Sequence, residues 1–168
     1  MRIIGIMLIA AAAVYGGVSY TALKREQLNE LEALCHMLRL MQDELETRAL
    51  PLPELAAQLD TRTENAGKAL LSGLLRRLPE LGSRDFQNIW EECVTESVKH
   101  SEEAARLLCT LGSFLGRYDV DSQLEAIRSC RETLEKLRTT AAEALPQTRR
   151  LGMGLALTSG ALIVITLI

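Results

Sequence analysis

Asp119, Asp121 and Gln123 alternate along the chain just after two Leu-Gly pairs, Leu111-Gly112 and Leu115-Gly116. Residues of these types can build a phosphate loop, a calcium loop or a structural corner. A phosphate loop needs several backbone N–H groups converging at a helix start, usually with a basic side chain. Arg117 is at hand, but no strand precedes it. A calcium loop needs a glycine at the sharp turn and a closing glutamate. Neither stands at the required position here. A corner fits better: Gly112 permits close helix packing, Gly116 ends a helix, and Asp119 or Asp121 caps the next.

Other candidates for chemistry are sparse. His36 and His100 are the two histidines, and neither lies in a metal-ligand spacing. Cys35, Cys93, Cys109 and Cys130 form no CxxC pair and fall on apolar sides of helical segments. They read as reduced, packed thiols. Glu91-Glu92 and Glu102-Glu103 are sequence neighbours, and neighbours on a helix diverge by about 100°. They cannot share one reacting atom. We therefore expect no catalytic residue, no cofactor and no metal site.

The elements that position these residues are helical. From Lys24 to Arg48, apolar residues recur in steps of three and four: Leu28, Leu31, Leu34, Cys35, Leu38, Met41 and Leu45. Pro51 and Pro53 stop that helix and open the next, 54–59. A third covers 66–78 and breaks at Pro79 and Gly82. Ser83 is then expected to cap a helix carrying Phe86, Ile89, Trp90, Cys93 and Val94. Ser101 caps a fifth, which runs to Gly116. The sixth carries Leu124, Ile127, Cys130, Leu134 and Leu137, and Pro146 ends, kinks or restarts it. No alternating β-branched run occurs, so the fold class is all-α. A bundle of this size supports one core without disulfides.

The charge distribution separates this middle from the ends. Residues 1–23 hold one charged residue, Arg2, and residues 151–168 hold none. Residues 3–23 span about 30 Å as a helix, the thickness of a bilayer core. Residues 151–168 approach the lower length limit for a span. Small residues such as Gly16 and Gly160 would let two membrane helices pack closely. A cleaved signal peptide fits less well, since no A-x-A site precedes the charged segment. The expected organisation is a membrane helix at 1–23, a helical bundle at 24–150 and a second membrane helix at 151–168. Lys24-Arg25 and Arg149-Arg150 flank the bundle, which places it in the cytoplasm. The bundle holds 18 basic and 22 acidic residues, a net −4. That balance argues against nucleic acid as a partner.

With these elements around it, the stretch resembles the stage III sporulation protein AB family. The residues carrying the resemblance are Glu44-Leu45, Pro51-Leu52, Trp90, Leu111-Gly112, Leu115-Gly116, Asp119 and Gln123, between the two apolar ends. Leu50 stands where the family pattern has a polar residue. The resemblance implies a protein of endospore formers, in the mother cell membrane facing the forespore. It also implies similarity to the cytoplasmic domains of platform proteins in type II secretion and type IV pilus machines. Its implied partners are stage III sporulation protein AA, a secretion-type ATPase, and other stage III channel proteins. The implied role is a non-enzymatic adaptor coupling that ATPase to the membrane channel, with self-association left open. Leu111, Gly112, Leu115, Gly116, Asp119 and Gln123 are then the candidate partner-binding or structural motif. Two rivals remain, a general membrane scaffold or signalling protein and a membrane-bound enzyme. The proline breaks weigh against the first and the absent polar constellation against the second.

Overall fold

In a computed structural model, the backbone is described for residues 2–48, 50–115 and 119–167. Side chains are described at 19, 21–48, 50–115 and 119–144. Six α-helices follow in order: α1 (Arg2–Arg48), α2 (Leu52–Asp60), α3 (Asn65–Arg77), α4 (Phe86–Ser97), α5 (Glu102–Gly112) and α6 (Val120–Leu167). A 3₁₀ turn, Leu78–Glu80, joins α3 to the α4 connector. No β-strand occurs among the described residues, and the all-α expectation holds. The first helix begins well before Lys24, and the last runs on through position 146 instead of stopping there.

The chain divides into two compact units. One comprises residues 1–26 and 140–168, the other Gln27–Thr139. Among the described residues no helix is long and apolar enough to cross a membrane. The two expected spans fall almost entirely where side chains are not described.

Within the larger unit, α1 is the central element. Between Glu30 and Met41 only Glu32, His36 and Arg39 are exposed, at steps of four and three. Leu31, Leu34, Met37, Leu38 and Met41 are all at most 1% exposed. A helix covered on most of its circumference must be apolar on most of its circumference. Met37 and Leu40 supply what the Leu28-to-Leu45 stripe lacked. Gly67 in α3 lets that helix approach α1 closely. A Cβ there would sit 3.1 Å from the Ala33 carbonyl oxygen and 3.1 Å from Met37 Cβ.

The turns follow local chemistry. Pro51 precedes α2 in extended backbone, and its carbonyl accepts from Leu55 N–H at 3.0 Å. Gly82 adopts φ +107°, a left-handed turn that favours glycine. That turn brings Ser83 back onto the chain just before it, where its hydroxyl donates to the Glu80 carbonyl at 2.8 Å. Ser83 therefore closes the preceding turn and does not cap α4. Asp85, in extended backbone, immediately precedes α4 instead. Ser101 does cap α5, its Oγ accepting from Ala104 N–H at 3.3 Å.

Candidate functional site

The α5–α6 corner divides the candidate motif between inside and outside. Leu111 is 2% exposed and Leu115 is 1% exposed. Gly112 is buried against Trp90 of α4. A Cβ at Gly112 would lie 3.0 Å from the indole Nε1 and closer still to Cδ1 and Cγ. No side chain fits there without moving the ring. The indole, itself fully buried, donates to the Leu108 carbonyl at 2.6 Å. One turn earlier on α4, Gln87 Nε2 donates to the Cys109 carbonyl at 3.1 Å. A carbonyl in a helix's last turn has no intrahelical partner, and here a neighbouring side chain supplies one. Phe86 lies beside Trp90, with ring centroids 6.0 Å apart.

The helix end differs from the expected one. α5 stops at Gly112, one turn before Gly116. Ser113 N–H turns back to the Thr110 carbonyl at 3.2 Å, and Phe114 N–H to the Leu111 carbonyl at 3.0 Å. These tight bonds take up the Thr110 and Leu111 carbonyls at the helix end. Gly116 lies outside the described residues.

The outward members of the motif are Asp119, which is exposed, and Gln123, which is half-buried. Asp119 starts α6. Its Oδ1 accepts from the Ser122 hydroxyl at 2.7 Å and its Oδ2 from Ser122 N–H at 3.4 Å. Its carbonyl accepts from Gln123 N–H at 3.1 Å. The Ser122 hydroxyl, then the Ser122 backbone N–H, hold the Asp119 carboxyl below the usual carboxylate range. Asp121, the alternative cap, sits in the first turn of α6.

The other conspicuous acid, Glu44, joins α1 to α2. It accepts from Arg62 at 2.6 Å and from Gln58 at 3.5 Å. Leu45 beside it is buried. Two structural acids and a basic network were missed by sequence reasoning. Glu30 of α1 is 5% exposed. Its carboxylate accepts from Lys99 N–H at 2.8 Å and His100 N–H at 3.1 Å, in the turn between α4 and α5. The available signal was its place on the Leu34–Met37–Met41 stripe, where a charge must find partners. Asp60 accepts from Ser72 and so fastens α2 to α3. Arg77 reaches Glu96 at 2.6 Å, while Arg84 bridges Glu80 at 2.9 Å and also pairs with Glu92. These residues are charged and mostly surface-lying, so no spacing rule marks them.

All four cysteines are free. Burial, then Glu135, pushes the Cys35 thiol up to about 11. Burial, then Cys35, pushes Cys130 up to about 12. Burial also raises Cys93 and Cys109. At neutral pH they are thiols, and thiols are poor nucleophiles and poor ligands. Among the described residues no group of three His, Cys, Asp or Glu side chains could hold a metal ion.

Between α5 and α6 the described residues leave a groove of about 560 Å³. Leu107 and Thr110 line it from α5, Phe114 from the turn just after α5, and Ala126, Ser129 and Thr133 from α6. The corner is its end. A second, polar cleft of about 400 Å³ lies between α1 and the α2–α3 turn, lined by Glu32, His36, Arg62 and Asn65.

The family model described as stage III sporulation protein AB matches residues 2–168. A solved structure entitled stage III sporulation protein AB shares the fold, with a TM-score of 0.63 at 21% identity. The match covers 72% of this chain and 97% of that one. No curated protein matches.

Proposed function

The chain belongs to the stage III sporulation protein AB family, and from that premise we propose that it is a membrane-anchored platform coupling a secretion-type ATPase to the sporulation channel. Its role is sporulation-associated. In this reading residues 3–23 and 151–168 cross the mother cell membrane facing the forespore. The bundle hangs in the cytoplasm, where the ATPase, stage III sporulation protein AA, docks. Other stage III channel proteins assemble on the same body. The platform has no catalytic step of its own.

The observation that carries the reading is the family match over residues 2–168, which takes in both apolar ends with the body between them. Two further features support it. Basic pairs flank the body at 24–25 and 149–150, the pattern of a cytoplasmic segment between two spans. The candidate residues that face inward are occupied in packing, which suits a rigid body better than an active site. Close-packed helices transmit strain, as a coupling element must.

The test is calorimetric titration of the full chain, in lipid nanodiscs, with the ATPase. Saturable binding that falls with Asp119→Ala, at unchanged helicity, is the expected result. An absence of heat from a folded chain would remove the coupling role. It would leave a scaffold working through its apolar ends.

A further inference from the structure

We infer that the α5–α6 groove is the seat of a basic amphipathic helix from a partner protein, an inference that rests on the platform reading. The floor is apolar: Leu107 and Leu111 on α5, Ala126 and Cys130 on α6. Its α6 wall is made of small side chains, Ala126, Ser129 and Thr133, so another helix can approach closely. The volume, about 560 Å³, accommodates the few anchor side chains that one face of a helix presents at i, i+3 and i+4.

Charge selects the occupant. Asp121, Glu125 and Glu132 fall on one exposed ridge of α6, at spacings of four and seven. Glu125 itself lines the groove. On the α5 side, Glu103 is exposed one turn above Leu107. Asp119 stands at the corner, with its carboxyl held in the ionised form. Among the described residues, the nearby cations Arg106 and Arg128 are engaged within the molecule. Arg106 pairs with Glu102 at 3.7 Å, and Arg128 is shared between Glu46 and Glu125, each at 3.5 Å. A second copy of this chain would bring a net −3 and the same acidic rim. Anionic lipid or nucleic acid would be repelled as well. A helix with leucine-like side chains on one face and Lys or Arg along its flanks meets both the floor and the rim.

The experiment uses the full chain in nanodiscs of zwitterionic lipid. The probe is a synthetic amphipathic helix of about five turns, leucine on one face and lysine on the flanks. A second peptide carries glutamate in place of lysine. Two variants are compared with the wild type: Ala126→Trp, which fills the groove, and the exposed pair Glu125→Lys with Glu132→Lys. The lysine peptide is expected to bind above the level of empty nanodiscs. Each variant should weaken it roughly tenfold, with helicity retained, and added salt should weaken it further. Binding equal to that of empty nanodiscs overturns the inference, and so does indifference to both variants. Equal binding of the glutamate peptide also overturns it. A dimer abolished by Ala126→Trp would make the occupant a second copy and overturn it too. The ATPase is titrated in parallel. If the peptide binds the groove and the ATPase binds nothing, the platform reading fails and the groove stands. If the ATPase binds wild type and variants alike, the groove is not its seat and the platform reading stands.

Discussion

The two faces of α5 carry different burdens. The inward face, Leu108, Leu111 and Gly112, is fixed by Trp90. A buried indole donates to one carbonyl, and its ring occupies the space where any Cβ at 112 would go. The outward face, Leu107 and Thr110, lines a groove that Phe114 of the following turn continues. The described members of the double Leu-Gly motif, Leu111, Gly112 and Leu115, thus all fall on the buried side, with the outward residues interleaved between them. A motif residue can be demanded by packing while its neighbour is left for contact. The difference separates mutations that unfold the body from mutations that disarm it.

The inward face can be broken most severely by removing its anchor. Trp90→Ala should destabilise the chain by about 3–5 kcal/mol, the cost of emptying an aromatic site in a packed core. Urea unfolding followed by circular dichroism reads it. Gly112→Ala should cost about 1–3 kcal/mol, because the added methyl must push the indole or spread the helices. Trp90 is the only tryptophan, so its emission should shift to longer wavelength in that variant. A blue-shifted or unchanged emission would deny the close approach.

Smaller effects sharpen the comparison. Glu30→Gln keeps size and removes the charge that receives the Lys99 and His100 N–H groups. We expect about 1–3 kcal/mol, the cost of a poorly satisfied buried polar group. Faster amide exchange at Lys99 and His100 would locate the loss at the start of α5. Asp119→Ala should have the least effect on melting, since the residue is exposed. Its effect carries a pH signature. The folded carboxyl titrates below its ordinary value, so the cap's contribution is full above the ordinary carboxylate pKa. It is lost as pH falls through the lowered folded value. Melting temperatures of wild type and Asp119→Ala should therefore converge in acid and separate toward neutrality. A gap that widened in acid would contradict the cap.

Much of this was legible in the chain. Steps of three and four gave the helices, and Pro51, Pro79 and Gly82 marked their breaks. Ser101 could be read as a cap because α5 begins directly after it. Ser83 could not, because the left-handed turn at Gly82 hands its hydroxyl to Glu80 instead. The end of α5 was placed a turn too late, since tight i→i+3 bonds from Ser113 and Phe114 close the helix at Gly112. Glu30 was marked by its place on an apolar stripe, but what it binds was unreadable for a different reason. Its partners are backbone N–H groups about seventy residues away, and no periodicity on α1 points to them. Gly112 was readable as a close approach, but only the folded α4 shows that the neighbour is Trp90.

The most direct test measures melting and ATPase binding together in Gly112→Ala and Ala126→Trp, in the full chain. The account predicts a separation. Gly112→Ala lowers the melting temperature and, below it, leaves binding near wild type. Ala126→Trp leaves melting near wild type and weakens binding. The contradicting result is that both variants move the same quantity together, which would mean that α5 does not divide fold from contact.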